Sequence, residues 1–252
     1  MSRLIVFWSP SGAGATTLLL NTAAALGARG AGAWRAEGVA VADLNLTTPS
    51  LALAADLLPH DRPLNACLSR LLPSLEEGRL TGDEVHRVAL PGPGFSLLAG
   101  VLDAVAATRI TEEHIKRMMQ LLSLRYDLIL ADLTPALDSV ACLPMLELAD
   151  RIVLVVGPEI ASRFHTRRFL LPMKAMGLDA KFAAVLNRAE ASSAEQVALD
   201  IDTPVKAVVP DLRQQRDYLE AGQIAYLAQP PGPVLGRFRT AIDTLATLVT
   251  AP

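Results

Sequence analysis

The chain has 252 residues, of which 51% are hydrophobic and 19% are charged, and its formal net charge is -3. This length and hydrophobic content exclude global disorder, because the chain can bury enough apolar surface to offset its conformational entropy. The mild acidity excludes a protein that coats nucleic acid nonspecifically, since such binding requires a broad basic face.

Cysteine and histidine are sparse. The two cysteines, Cys67 and Cys142, do not cluster with the histidines, which are His60, His86, His114 and His165. We therefore predict neither a disulfide framework nor a zinc–thiolate site, and we interpret both thiols as small buried hydrophobes. The sequence contains no run of 18 apolar residues and no signal-peptide pattern at its start, so we expect a cytoplasmic protein without a transmembrane segment.

The chain begins with a strand, a tight loop and a helix. Residues 4–8 form a continuous apolar run, which is typical of a parallel strand covered on both faces. A glycine-rich loop follows. From Thr16 onward good helix formers predominate, until Gly27 and Gly30 favour an exit from the helix.

The same order repeats along the chain. Six further strands are predicted, over residues 39–44, 95–98, 128–132, 152–156, 183–186 and 205–209. Thr111 followed by Glu112 and Glu113 predicts a capped helix that ends near residue 123. Alternating strands and helices predict an α/β fold with a doubly wound, mostly parallel sheet flanked by helices.

The regions between these elements show no linker or internal repeat. Residues 29–38 and 91–94 are predicted loops, and residues 53–90 are expected to lie over one face or edge of the sheet. We therefore expect residues 1–252 to form a single domain.

The last segment predicts an amphipathic helix docked on the core. Its apolar residues share one helical face: Val234, Leu235, Phe238, Ala241, Ile242, Leu245, Leu248 and Val249. The tail lacks the lysine-rich face that anionic lipid attracts, so membrane association is expected to be peripheral at most.

A basic group begins another predicted helix. It consists of Arg163, His165, Arg167 and Arg168. We interpret it as a solvated face, because one cluster on an acidic protein offers few phosphate contacts. DNA binding is therefore not expected.

The loop after the first strand is a candidate phosphate cradle, because ligands bind beyond the carboxyl ends of parallel strands. It reads Ser9-Pro10-Ser11-Gly12-Ala13-Gly14-Ala15-Thr16-Thr17. Gly12 and Gly14 allow main-chain N–H groups to turn toward an anion, and Thr16 is placed to offer a hydroxyl to Mg²⁺. The usual lysine of such loops is replaced by Ala15, so the loop alone leaves a purely structural turn open.

Three polar residues follow later strands. Asp132 ends an apolar strand and is placed to hold a magnesium-bound water or hydroxyl, although a turn before Pro135 is the alternative interpretation. Asp43 gives a similar but weaker signal. Asn187 has an amide suited to an adenine edge, and asparagine is also an ordinary turn residue.

Together these stretches resemble the ParA/MinD superfamily of deviant Walker ATPases, whose loop reads Lys-Gly-Gly-x-Gly-Lys-Thr-Thr. The similarity continues through residues 20–23, and residues 41–45 resemble the Asp-x-Asp strand of the family. Further similar stretches are the Walker B strand at 126–132, the next strand at 149–155, and two purine-side loops at 185–188 and 209–211. Within the superfamily the chain is most similar to the CpaE/TadZ branch of pilus-assembly localisation proteins, through residues 94–100, 111–122 and 126–127 and a loop without lysine. The receiver-like N-terminal domain of that branch is not expected, because the first strand begins at residue 4.

The resemblance implies a nucleotide site with ATP or ADP and Mg²⁺ as ligands. It assigns nucleotide contacts to Gly12, Ala13, Gly14, Ala15, Thr16, Thr17, Asn187, Pro210 and Asp211. It assigns the metal to Thr16 and Asp132, and it places Asp43 and Asn45 in the Asp-x-Asp motif.

Three charged residues of the family are replaced by neutral ones. Pro10 occupies the position of the family's lysine that reaches the partner subunit's phosphates. Ala15 occupies the position of the second lysine, and Asn45 that of the second aspartate. A single trans cation changes the rate of phosphoryl transfer by about 10³–10⁵, so we expect no ATP hydrolysis above background. Main-chain N–H groups remain available for binding, and substitution of a lysine by Arg163, Arg167 or Arg168 stays open.

The function implied by the resemblance is that of a noncatalytic homodimer that positions or scaffolds a surface machine, such as a Tad-type pilus or a secretion apparatus. Its partners would be proteins of that apparatus, at the inner face of the membrane or the cell pole. The alternatives are an ATP-hydrolysing ParA/MinD-type switch that cycles on DNA or membrane, and a nucleotide-sensing regulator with another partner.

Overall fold

The computed structural model describes residues 2–30, 38–58, 67–212, 223–228 and 232–251. His60, most of the loop expected at 29–38 and part of the segment 53–90 lie outside these ranges. The strands are β1 (Arg3–Trp8), β2 (Val39–Leu44), β3 (Leu90–Gly92), β4 (Phe95–Leu98), β5 (Leu128–Leu133), β6 (Arg151–Val156), β7 (Phe182–Asn187) and β8 (Val205–Val209).

These strands form one sheet with the order β3-β4-β2-β5-β1-β6-β7-β8. All neighbouring strands pair in parallel except β3 and β4, which are antiparallel. The predicted doubly wound α/β class is therefore confirmed, and each predicted strand is present within two residues of its expected bounds.

Helices cover both faces of the sheet. They are α1 (Ala15–Ala28), α2 (Leu51–Ala54), α3 (Leu72–Glu76), α4 (Gly82–Val88), α5 (Ala104–Ala107), α6 (Glu112–Ser123), α7 (Cys142–Leu148), α8 (Ile160–Ala175), α9 (Ala194–Ile201) and α10 (Pro233–Thr250). Short 3₁₀ turns occupy Leu68–Leu71, Asp179–Lys181, Ala191–Ser193 and Ala225–Leu227.

Alternation along β1 divides the core into two layers. Ile5 and Phe7 pack with α1 and α10 on one face, whereas Val6 and Trp8 pack with α6, α7 and α8 on the other. Because side chains of a strand point alternately to opposite faces, a strand covered on both sides reads as the continuous apolar run seen in the sequence.

The edge of the sheet differs from the sequence prediction. Residues 91–94 were expected to form a loop, but Leu90–Gly92 is a strand that pairs with Phe95–Leu98. A proline weakens the strand signal, yet Pro91 is tolerated there because β3 is an edge strand. Gly94, with φ of 82°, turns the hairpin tightly against Gly27 of α1.

The other predicted elements are largely as expected. The Thr111 side chain accepts a hydrogen bond from the His114 N–H and caps α6. The helix α10 docks on the core, although Val234, which was assigned to its buried face, is 42% exposed at the first turn. Both cysteines are buried. Within the described ranges, no helix combines the length and the apolar character needed to cross a membrane.

Candidate nucleotide-binding site

The conformation of the loop between β1 and α1 is stabilised by the side chain of Ser9 and by two glycines. Ser9 Oγ accepts a hydrogen bond of 2.8 Å from the Ala13 N–H. Gly12 and Gly14 have φ values of 67° and 98°, in the left-handed region that favours glycine. The sequence prediction named both glycines but missed Ser9, whose position directly before the turn was the available signal.

The N-terminus of α1 is free of side-chain caps. Its N-cap residue is Gly14, which makes no side-chain cap hydrogen bond, and the first turn contains no acidic residue. The first N–H groups of a helix lack intrahelical partners, and the helix dipole makes this end positive. Ala15, Thr16 and Thr17 therefore present main-chain donors suited to an anion.

Asn187 braces the loop from the end of β7. Its Nδ2 donates a hydrogen bond of 2.8 Å to the Ala13 carbonyl, and its Oδ1 accepts one from the Arg188 N–H. A Cβ on Gly14 would lie 2.7 Å from the same Nδ2, so a glycine is required there. The amide expected to read a purine edge is thus already engaged with the loop.

Thr16 and Asp132 form the part of the site suited to a metal ion. Thr16 Oγ1 donates a hydrogen bond of 2.7 Å to Asp132 Oδ2, while Asp132 Oδ1 is buried without a hydrogen-bond partner in the described structure. Burial raises the pKa of Asp132 well above its usual range, and repulsion from Asp43 adds to this effect. A hydroxyl beside an unsatisfied carboxylate oxygen is a donor set that fits Mg²⁺.

Asp43 lies beside Asp132 at the same edge of the sheet, because the two residues are register partners in β2 and β5. Its Oδ2 accepts hydrogen bonds from the N–H groups of Ser50 and Leu51, at 2.9 and 3.0 Å. Burial raises the pKa of Asp43 to about 6, although these main-chain hydrogen bonds oppose the rise. Asp43 therefore also orders the start of α2.

Asn45 closes the turn that follows β2. Its Oδ1 accepts a hydrogen bond of 3.1 Å from the Thr48 N–H, and its Nδ2 donates one of 3.1 Å to Thr48 Oγ1. The amide donates as well as accepts, which a carboxylate cannot do. The turn thus uses asparagine for a structural purpose and carries no negative charge at this position.

The purine-side residues lie at the neighbouring strand ends. Pro210 and Asp211 directly follow β8, and Asp211 is exposed. The N–H of Ala189 donates to the Val209 carbonyl at 3.2 Å, which joins the segments after β7 and β8. The predicted site residues therefore all lie at the carboxyl ends of strands in the same sheet.

The arginines considered as substitutes for lysine lie elsewhere on α8. Arg163 forms an ion pair with Asp200 of α9. Arg167 lies within electrostatic range of Asp202, whose pKa it helps to lower. A cavity of about 540 Å³ beside the loop has a different basic pair in its lining, His165 and Arg188. Arg188 lies in the stretch 185–188, which was predicted as a purine-side loop and not as the source of a cation near the phosphate loop.

Comparison with known proteins gives structural but not sequence matches. No protein-family model matches the chain, and no curated protein sequence matches it. A ParA family ATPase from Chlorobium tepidum has a TM-score of 0.81 at 19% identity, with 98% of this chain and 99% of that chain covered. The septum site-determining protein MinD from Pyrococcus horikoshii, complexed with Mg-ADP, has a TM-score of 0.77 at 22% identity, with 99% and 96% covered.

A third structural match is the MinC:MinD cell division protein complex of Aquifex aeolicus, with a TM-score of 0.70 at 18% identity and 100% and 97% of the chains covered. Near-complete coverage of both chains in all three cases shows that this chain has the ParA/MinD P-loop NTPase fold.

Proposed function

We propose that this chain, with its ParA/MinD fold, binds a nucleotide with Mg²⁺ without hydrolysing it and serves as a noncatalytic positioning or scaffold protein. The whole chain would act as one domain. It would position or scaffold a surface apparatus such as a Tad-type pilus, as the similarity to the CpaE/TadZ branch implies. Proteins of that apparatus would be its partners, and they would recruit it to the inner face of the membrane or to the cell pole.

One observation carries this proposal: the Thr16–Asp132 pair suited to a metal ion is present, while the two lysine positions of the loop are neutral. Thr16 and Asp132 are in hydrogen-bond contact, and Asp132 retains an unsatisfied buried oxygen. At the positions of the two family lysines, Pro10 offers neither a charge nor a main-chain donor, and Ala15 offers only its N–H.

The Thr16–Asp132 pair and the neutral lysine positions have different consequences for binding and catalysis. The main-chain donors of residues 15–17 and the helix dipole favour an anion without any side-chain charge. Bound Mg²⁺ would shield phosphate charge at Thr16 and Asp132. Phosphoryl transfer additionally requires cations that stabilise charge in the transition state, and this loop does not supply them. Binding is therefore retained and hydrolysis is lost.

Dimerisation would also be independent of ATP. In the family the lysine at the Pro10 position links the nucleotide of one subunit to its partner, and proline cannot make this link. Sedimentation velocity should therefore show a dimer without nucleotide. A monomer that becomes a dimer only when Mg-ATP is added would contradict this part of the proposal.

A phosphate-release assay with Mg-ATP tests the proposal as a whole. We expect a rate equal to that of Asp132→Ala, because neither protein supplies transition-state cations. A release rate above background that Asp132→Ala abolishes would instead show an active ATPase switch.

A further inference from the structure

The cavity beside the loop lies between the loop, α8 and the end of β7. Its lining includes Pro10 and Ala13 from the loop, Ser162 and His165 from α8, and Arg188. Its volume of about 540 Å³ falls in the range of ordinary small-molecule sites. None of the residues assigned to the metal lines it.

Arg188 is fixed near the loop by its main chain. Its N–H donates to Asn187 Oδ1, and the other end of the same amide is bonded to the Ala13 carbonyl. Its φ of 59° is in the left-handed region, which is uncommon for residues other than glycine. Among the described residues the Arg188 guanidinium forms no ion pair, so its charge is available to a ligand.

A hydroxyl group adds a donor on the loop side of the cavity. Ser162 Oγ accepts a hydrogen bond of 2.8 Å from the Gly157 N–H and lies 2.7 Å from Ser11 Oγ. When Ser162 donates its proton to Ser11, the Ser11 proton is free to donate to a ligand, since each hydroxyl has one proton.

We propose that this cavity binds a phosphate group, with the Arg188 guanidinium as its charged donor and Ser11 and His165 as further donors. Arginine binds phosphate oxygens through two parallel N–H groups. The hydroxyl and imidazole donors in the cavity lining would bind the other phosphate oxygens. The phosphate is either the terminal phosphate of a bound nucleotide or a free phosphate ion. The first source rests on the proposed nucleotide binding, whereas the second does not.

Glu159 opposes this binding and provides a second substitution with which to test it. It also lines the cavity, and its carboxylate packs against Gly157. The negative charge should weaken anion binding, so Glu159→Gln is expected to strengthen it without removing any donor.

The experiment compares the wild type with Arg188→Gln, Arg188→Lys and a matched control, Arg168→Gln, which removes an exposed arginine of α8 outside the cavity. Binding of fluorescent ATP and ADP analogues with Mg²⁺ is titrated, and binding of inorganic phosphate is measured by calorimetry. We expect Arg188→Gln to weaken phosphate-group binding about tenfold or more, as loss of a charged hydrogen bond does. Arg188→Lys keeps the charge but not the two parallel N–H groups, so it should lose affinity but less than Arg188→Gln, and Arg168→Gln should retain all of it.

Each outcome separates the two proposals. A loss confined to the ATP analogue identifies the terminal phosphate, and a loss confined to inorganic phosphate identifies the free ion. Inorganic phosphate binding that depends on Arg188, without nucleotide binding, supports the cavity and overturns the proposed function. If nucleotide binds but Arg188→Gln changes neither its affinity nor that of inorganic phosphate, the cavity proposal alone is overturned. If the wild type binds neither ligand, the cavity proposal and the proposed function are both overturned. If Arg188→Gln does not fold, unchanged binding in Glu159→Gln overturns the cavity proposal, and tighter binding supports it.

Discussion

Thr16 Oγ1 donates a hydrogen bond of 2.7 Å to Asp132 Oδ2, which joins the first turn of α1 to the end of β5 across 116 positions of sequence. The hydrogen bond satisfies only one oxygen of a fully buried carboxylate. A buried charge with one unsatisfied oxygen is costly without a cation or a proton. The pair is therefore expected to gain stability from Mg²⁺.

Asp132→Asn tests this relationship. Because the amide carries no charge, we expect a higher free energy of unfolding than in the wild type at pH 7 without metal, and no further gain from Mg²⁺. Chemical denaturation without Mg²⁺ and with saturating Mg²⁺ measures both effects. Asp179→Asn, which alters an exposed aspartate outside the candidate site, is the control and should behave like the wild type. A Mg²⁺-dependent gain in Asp132→Asn equal to that of the wild type would refute metal binding by this carboxylate.

Asp43 gives the protein a pH-dependent stability. Its pKa is about 6 in the folded chain against 3.8 for an unperturbed aspartate, so between these pH values the folded chain holds a proton that the unfolded chain has released. The contribution of Asp43 to the free energy of unfolding should therefore fall as the pH rises from about 4 to about 6, by up to roughly 3 kcal/mol. The raised pKa of Asp132 extends the fall to higher pH.

Denaturation measured across this pH range tests the sign. Asp43→Asn should show a shallower fall than the wild type, because it has no proton to release at this position. A stability that instead rises with pH in the wild type between pH 4 and 6, and does so less in Asp43→Asn, would contradict the raised pKa of Asp43.

The two loop glycines provide a matched pair of substitutions. Both have left-handed φ values, so alanine costs about 1–2 kcal/mol at each. A Cβ at Gly12 meets nothing within 4 Å, whereas a Cβ at Gly14 lies 2.7 Å from Asn187 Nδ2. Displacement of that amide leaves the Ala13 carbonyl without its partner, which adds about 1–3 kcal/mol. We expect Gly14→Ala to be clearly less stable than Gly12→Ala by thermal denaturation, and equal losses would rule out the brace.

Ala15→Lys restores a cation at the start of α1. A charged hydrogen bond to phosphate should increase the affinity for ATP about tenfold or more in a nucleotide titration. Hydrolysis should remain at background, because the Pro10 position still lacks its lysine. Ala28→Lys adds the same charge at the opposite end of α1 and should leave the affinity unchanged. Equal effects of the two substitutions would indicate a general charge effect rather than a site at the loop.

Sequence patterns predicted an element correctly where the residue types present favour a single local structure. Apolar runs such as β1 indicated strands buried on both faces, and Gly12 and Gly14 indicated a turn with left-handed residues. The edge strand β3 was missed because the two prolines and two glycines in and directly after it are equally typical of a loop. Pairing with β4, which decides the matter, depends on tertiary contacts.

The sequence predicted which residues form the candidate site but not the contacts between them. The resemblance assigned Thr16 and Asp132 to one metal site, and the structure places the two side chains in contact. The position of Arg188 beside the loop was not predictable, because it depends on the hydrogen bonds of Asn187 and on a left-handed backbone. The ion pair of Arg163 likewise depends on how α8 and α9 pack.

The most direct measurement of the central claim is the identity of nucleotide recovered from the protein itself. The chain is incubated with Mg-ATP, separated from free nucleotide, denatured and analysed by chromatography. If the loop retains an anion without the cations needed for bond cleavage, the recovered nucleotide is intact ATP after prolonged incubation. Recovery of ADP from the wild type, with intact ATP from Asp132→Ala, would show that the chain cleaves what it binds.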